Sequence, residues 1–359
     1  MKFAYWSTNL GGVLFSSTPQ NADPDLQTQI EVARRAELAG FDYTLVAARF
    51  LSTTGAAPDL YDALASSTAI AVSTNLLNVI AAIHPGLWHP AMIAKFSACV
   101  SAATKGRFHV NIISGWFKDE FIRLGEPWLD HDERYRRSEE FVAILRGLLS
   151  GEKFSFSGDF YRVRDLTFRP SPPRPVEIFQ GGNSLAARAL AARQTDWYFM
   201  NGDDIEGVSR QIAEIRKLAE PLGRSPRFAV NAFVILRDTE KEAAKVLEDI
   251  IAAVNSDAVE AFRVHAQGAG SSTKDRIGMW ANSNFANLVQ PNDGFKTGLI
   301  GTEDQIRERV RALEAAGVDL ILCGFLDFLE EPTRFGAAVI TSNPSRASVR
   351  NEAPAAIST

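Results

Sequence analysis

Short apolar runs alternate with amphipathic helical stretches along this chain, and no other feature restricts its fold as much. Residues 2–6, 41–46, 77–83, 107–114, 176–180, 196–200, 227–236 and 320–325 read as strands. Helical patterning covers 25–39, 61–73, a stretch from Pro90, 133–150, 184–193, 204–222, 240–254 and 303–316. The first helix places Ile30, Ala33, Ala36 and Leu38 at helical spacing and stops at Gly40. Continuous apolar strands are buried on both faces, and helical crossovers between them make a sheet parallel. Eight such units favour a closed α/β fold, the (β/α)8 or TIM barrel, over an open doubly wound sheet. The missing GxGxxG after the first strand also counts against a dinucleotide-binding fold.

Two stretches interrupt the rhythm. FSFSGDFYRVRDLTFRP, at about 154–170, alternates in the β manner around Ser157-Gly158-Asp159 and reads as an inserted hairpin. Residues from about 255 to 300 are rich in Gly, Ser and Asn, and read as a weakly structured excursion serving as a lid. The expected organisation is one barrel domain over 1–340 carrying both insertions, with a poorly ordered tail at 341–359.

Composition narrows the function classes. Lys and Arg total 38 against 43 Asp and Glu, a formal charge of −5 that argues against nucleic acid or anionic membranes as partners. The two cysteines, Cys99 and Cys323, lie far apart, so neither a disulfide framework nor a CxxC metal site is expected. MKFAYWSTNL reads as a strand rather than a signal peptide, and no run of about 18 apolar residues occurs. The expectation is a soluble cytoplasmic protein.

A barrel carries its chemistry at the C-terminal strand ends. That rule selects Trp6, Asn9, Ala48, Arg49, His84, Asn111, Ser114, Trp116, Gly181, Gly182, Asn183, Ser184, Asn201, Asn231, Phe233 and Phe325. HExxH, GxSxG and Walker signatures are absent, and no metal site is expected. The run Asp130-His131-Asp132-Glu133 is better read as a helix start capped by Asp132.

In EIFQGGNSLAAR (177–188) a strand enters two glycines, and Asn183 and Ser184 open a helix. This is either an ordinary N-cap or a phosphate site made of free N–H groups, an amide and a hydroxyl. In VNIISGWFKDEF (110–121), Asn111 within an apolar strand needs partners, which are either neighbouring backbone or a polar, planar cofactor edge. In DERYRRSEEF (132–141), most charges read as a solvated face with pairs such as Arg136–Glu140, while Arg134 and Tyr135 lie close enough to the mouth to reach a ligand.

These phrases, together with DWYFMNGD, VNAFVILRDTEKEA, NDGFKTGLIGT and GVDLILCGFLDF, resemble the bacterial luciferase-like two-component flavin monooxygenases over residues 2–340. Within that family the likeness is greatest to FMNH2-dependent dimethyl sulfone monooxygenases. Alkanesulfonate and pyrimidine-opening monooxygenases come next. The resemblance implies FMN, used as FMNH2 from a separate NAD(P)H-dependent FMN reductase, with O2 as co-substrate. It implies oxidation of a small neutral organosulfur compound, dimethyl sulfone, to methanesulfinate and formaldehyde, and a homodimer or homotetramer. An F420-dependent reductase and a non-catalytic flavin-binding paralogue are the competing readings.

By the same resemblance, Ala48, Arg49, Asn111 and Glu120 meet the flavin. Arg134 and Tyr135 reach its phosphate or ribityl chain, and Gly181, Gly182, Asn183 and Ser184 hold the phosphate. Asn183 departs from the Ser-Ser that relatives carry after Gly-Gly, and the Val46-Ala47-Ala48 run has smaller side chains than usual there. Trp6, His84 and Arg49 are expected at the reacting centre with Asn231 and Phe233. The last two stand where alkanesulfonate relatives present Arg and His, so a neutral substrate is expected. Arg49 also offers a charge from across the barrel, which works against that expectation.

Overall fold

The computed structural model describes residues 1–53, 59–270, 280 and 283–341. Eight strands close into a barrel: β1 (Lys2–Trp6), β2 (Tyr43–Val46), β3 (Asn78–Ile83), β4 (Phe108–Ile112), β5 (Ile178–Gly181), β6 (Trp197–Met200), β7 (Arg227–Phe233) and β8 (Leu320–Gly324). Each pairs in parallel with its neighbours in chain order, and β8 returns to β1 with Lys2 opposite Leu320. The expected barrel is therefore the observed fold.

The strands form where the alternation places one set of side chains inward. Ala4, Tyr43, Leu45, Ile80, Phe179, Trp197, Phe199, Ala229, Leu320 and Leu322 fill the interior. The outward set packs under the helices in a second, larger core that includes Phe3, Val79, Val110, Ile178 and Val230. Helix boundaries follow local chemistry. Asp25 accepts from the Gln27 and Thr28 amides to start Leu26–Ala39, and Gly40, at φ +96°, ends it in a left-handed turn that disfavours a Cβ.

Several boundaries differ from expectation. After β4 come a short helix, Lys118–Arg123, and a long one, His131–Leu149, capped by Asp130 rather than Asp132, with Glu133 accepting from the Asp130 amide. The charges of the long helix are not one solvated face. Arg134 and Arg137 are buried, and Arg137 lies over the Phe121 ring in space left by Gly86. Arg136 pairs with Asp159 instead of Glu140. The Glu140 carboxylate accepts from the Asp159, Phe160 and Tyr161 amides at the tip of the antiparallel hairpin Phe154–Ser157/Arg162–Leu166.

The 255–300 excursion is more structured than its composition suggests. It contains the helix Ser256–Gly270, the short helix Phe285–Leu288 and strand Ile300–Gly301, which pairs with Ile235–Leu236. The helix forms because Val259, Phe262 and Ala266 recur at helical spacing and share a cluster with Leu288, Phe15, Trp116 and Trp280. Residues 271–279 lie outside the described residues, and so does the tail from 342 onward. Among the described residues no helix is long and apolar enough to cross a membrane.

Candidate active site

A cavity of about 870 Å³ opens at the C-terminal mouth of the barrel, at the upper end of the range for ligand pockets. Its floor is the last inward layer of the strands: Trp6 of β1, Leu45 of β2, Ala82 of β3, Asn111 of β4, Phe199 of β6 and Leu322 of β8. Of the residues selected from sequence, Trp6, Ala48, Arg49, His84, Asn111, Arg134, Tyr135, Gly181, Gly182, Asn183, Ser184 and Asn231 all line it.

One end of the cavity is built to face an anion. After β5 the chain turns at Gly182, with φ +130°, and a Cβ there would stand 2.6 Å from the Tyr135 hydroxyl oxygen and 2.9 Å from the Ala187 Cβ. Ser184 caps the ten-residue helix Leu185–Gln194 by accepting from the Ala187 amide at 3.2 Å, so the positive end of the helix faces the cavity. Asn183 Oδ1 accepts from Arg188 at 2.6 Å, and Arg188 is itself paired with Glu214. The Asn183 amide is thus turned with its NH2 away from Arg188. Desolvation raises the pKa of the Tyr135 hydroxyl, against the opposing effect of hydrogen bonds with Ser184 and Ser114. Arg134 lies 4.1 Å above the Trp128 ring, and burial lowers its pKa to about 10.

The middle of the cavity is polar at two points. Asn111 is buried and its Oδ1 has no hydrogen-bond partner among the described residues, so it is free to accept from a ligand N–H. His84 Nδ1 donates to the Ile113 carbonyl at 3.2 Å, which leaves Nε2 as an acceptor. Burial lowers the His84 pKa to about 4 and keeps the ring neutral.

Three residues take places that the sequence did not predict. Asn231 lines the cavity, but its amide is fully occupied: Oδ1 accepts from Trp6 Nε1 at 2.7 Å, and Nδ2 donates to Gln290 Oε1 at 3.1 Å and the Asn292 carbonyl at 3.0 Å. It orients Trp6 rather than offering a donor to substrate. Phe233 is fully buried outside the cavity wall, packed on Phe295 among Leu14, Ile235 and Val289. Strand alternation does aim it inward, but its amide is bonded to Gly294 O at 3.0 Å and the incoming 290–294 segment comes between it and the cavity. Glu120 is also fully buried and is not part of the wall. It pairs with Arg49 at 3.0 Å and accepts from the Phe50 and Leu51 amides at 2.8 and 3.2 Å. It therefore acts on the cavity through Arg49.

Sequence reasoning read the 255–300 excursion as a lid but named none of the side chains that form the opposite wall. Phe262, Ala266, Trp280, Ser283, Gln290, Pro291 and Asn292 come from the excursion and line the cavity. Trp116 joins Phe262 and Trp280 with ring centroids 5.1 and 5.5 Å away. The only sequence signal for this wall was the Val259-Phe262-Ala266 spacing.

The family model for the luciferase-like monooxygenases matches residues 1–320. The chain is 49% identical over 344 residues to an FMNH2-dependent dimethylsulfone monooxygenase of Pseudomonas putida, covering 95% of this chain and 94% of that one. It is 50% identical over 341 residues to one from Pseudomonas fluorescens (strain Pf0-1), covering 95% and 93%. Among solved structures, the long-chain alkane monooxygenase LadA superposes with a TM-score of 0.80 at 21% identity, covering 97% of this chain and 92% of that one, a likeness of fold. With a family match over most of its length and the same barrel, the chain belongs to the luciferase-like monooxygenase family.

Proposed function

We propose that this protein is an FMNH2-dependent monooxygenase that oxidises dimethyl sulfone. The observation that carries the reading is the anion cradle at Gly182–Ser184 opening into an aromatic-walled cavity, in a chain about half identical to dimethylsulfone monooxygenases. The balanced reaction is dimethyl sulfone plus O2 plus FMNH2 giving methanesulfinate, formaldehyde, FMN and water, with the C–S bond of one methyl broken.

The residues fit FMN. The Asn183 amide, the Ser184 region and the helix N-terminus would hold the phosphate, with Arg134 and Tyr135 beside it. Asn111 Oδ1, buried and without a partner among the described residues, would accept from a ring N–H. The reduced flavin supplies the electrons that activate O2. The chain supplies a dry, oriented chamber. Trp116, Phe262 and Trp280 form an apolar wall on one side of it, and Asn231 fixes Trp6 at the floor. A family enzyme that binds free FMNH2 works with a separate NAD(P)H-dependent reductase.

The test is anaerobically reduced FMN mixed with O2 and a panel of sulfones, sulfonates and sulfinates, with products read by mass spectrometry. Methanesulfinate and formaldehyde in equal amounts from dimethyl sulfone are expected. Oxidation of FMNH2 to hydrogen peroxide alone with every sulfone would sink the reading.

A further inference from the structure

We infer that Glu120 sets the charge selectivity of this active site: by neutralising Arg49 from behind, it makes the cavity select neutral sulfones and exclude sulfonates. The inference rests on the function proposed above and names the residue that decides its substrate class.

Among the described residues, the charged side chains that line the cavity are two arginines, Arg49 and Arg134, with no Asp or Glu beside them. Arg134 sits beside Tyr135 at the phosphate end, where a flavin phosphate is its natural counter-ion. Arg49 is different. It is held flat against Trp116, with its guanidinium carbon 4.5 Å from the ring centroid, and its Nη1 is 3.0 Å from Glu120 Oε2. Left unpaired, a guanidinium in this position would attract a sulfonate strongly, through charge-assisted and often bidentate hydrogen bonds.

The Glu120 carboxylate removes that attraction. It is fully buried, on the short helix Lys118–Arg123, and cannot swing to solvent. Its second oxygen is fixed by the Phe50 and Leu51 amides, so it is preorganised against the residues that follow Arg49. A sulfonate approaching Arg49 therefore meets a cation already paired with a fixed anion. It sheds its hydration without gaining an unshared counter-ion. A sulfone loses less. Its uncharged S=O oxygens can accept from the guanidinium N–H groups not used by Glu120 without needing a counter-ion, and Trp6 and the aromatic wall offer apolar room for its methyl groups. The burial that makes Glu120 invisible at the cavity surface is what makes it effective, because the pair is screened little by water or salt.

The test compares wild type with Glu120→Gln, which keeps an acceptor oxygen for the two amides and deletes the charge. Methanesulfonate binding is measured by calorimetry on protein saturated with oxidised FMN, so that the anion cradle at Gly182–Ser184 is already filled, and its kcat/KM relative to dimethyl sulfone is measured under identical FMNH2 supply. In Glu120→Gln, methanesulfonate affinity is expected to rise at least tenfold, more at low salt. The ratio of methanesulfonate to dimethyl sulfone kcat/KM, or of inhibition by methanesulfonate, rises with it. Glu120→Asp keeps the charge and restores wild-type selectivity. Unchanged methanesulfonate affinity in Glu120→Gln overturns the inference. Should that variant not fold, the charge-balanced double variant Arg49→Met/Glu120→Gln decides: affinity within threefold of wild type supports a neutral pair, and a tenfold loss shows that Arg49 anchors anions despite Glu120. The calorimetric arm needs no turnover, so failure of the dimethyl sulfone reaction is recognised separately from failure of the charge argument.

Discussion

The smallest group on which the proposed function rests is the Gly182-Asn183-Ser184 turn. Adding one methyl at Gly182 places a carbon 2.6 Å from Tyr135 Oη at a backbone angle that L-residues avoid. Gly182→Ala is therefore expected to cost about 1–3 kcal/mol of stability and to loosen FMNH2, as read by thermal melting and anaerobic titration. The double variant Asn183→Ala/Ser184→Ala removes donors worth about 1.5–3 kcal/mol each toward a charged partner, so FMNH2 should bind at least tenfold more weakly. Ser184 also caps its helix, so some lost affinity could follow from a frayed helix. Asn183→Ala alone keeps that cap, and its titration separates the two contributions. A flavin affinity equal to wild type in the double variant would place the phosphate elsewhere.

Among elements, the helix Ser256–Gly270 is the one whose stability and function are most directly linked. It is held by one aromatic face, with Phe262 tilted against Phe15 at 5.3 Å and edge-on to Trp116 and Trp280 at 5.1 Å. A helix docked through so few side chains opens at lower cost than the barrel strands. Limited proteolysis should cut within 255–300 first, and FMNH2 should slow the cut. Equal rates with and without flavin would mean that this wall is not a moving lid. Phe262→Ala deletes the central ring, and Phe→Ala losses in packed sites run to about 3–5 kcal/mol. The variant should release more hydrogen peroxide per FMNH2 oxidised, because water then reaches the reacting centre. A coupling ratio equal to wild type would count against the wall as a water barrier.

For the molecule as a whole, two buried histidines tie stability to pH. His84 at the mouth and His109, which meets Asn78 and the Glu177 amide, both have pKa values lowered to about 4 by burial. In the unfolded chain each titrates near 6.5. Between those values the unfolded state binds protons that the folded state refuses, so stability falls as pH drops from about 6.5 toward 4 and is unaffected by these groups above 6.5. Denaturant titrations at pH 7.5 and 5 should show the loss, and His109→Gln should shrink it. A slope identical in that variant would remove His109 as a cause. Oligomeric state belongs to this scale too. The sequence resemblance is the ground for expecting a homodimer or homotetramer. Light scattering is expected to give a dimer or tetramer of the 39.3 kDa chain, and a monomer mass would remove the expectation.

The closed barrel was legible in the sequence because its cause is local and repeated: a strand of apolar residues, then a helix with one apolar face, eight times over. The same holds for the turn after β5, where Gly-Gly-Asn-Ser is contiguous and Ser184 opens the next helix, and for Asn111, whose oddness lies in its own strand. What the sequence could not reveal depends on which side chains meet across the fold. Asn231 and Phe233 were read as a pair facing substrate, since strand alternation points both inward. Only the packed structure shows that residues 290–294 come in above them, taking up the amide of one and burying the ring of the other. Glu120 lies 71 residues from Arg49, and no spacing rule joins them. Alternation and capping are set by neighbours along the chain. Pairing of buried charges and the choice of a cavity wall are set by neighbours in space, and these exist only once the barrel has closed.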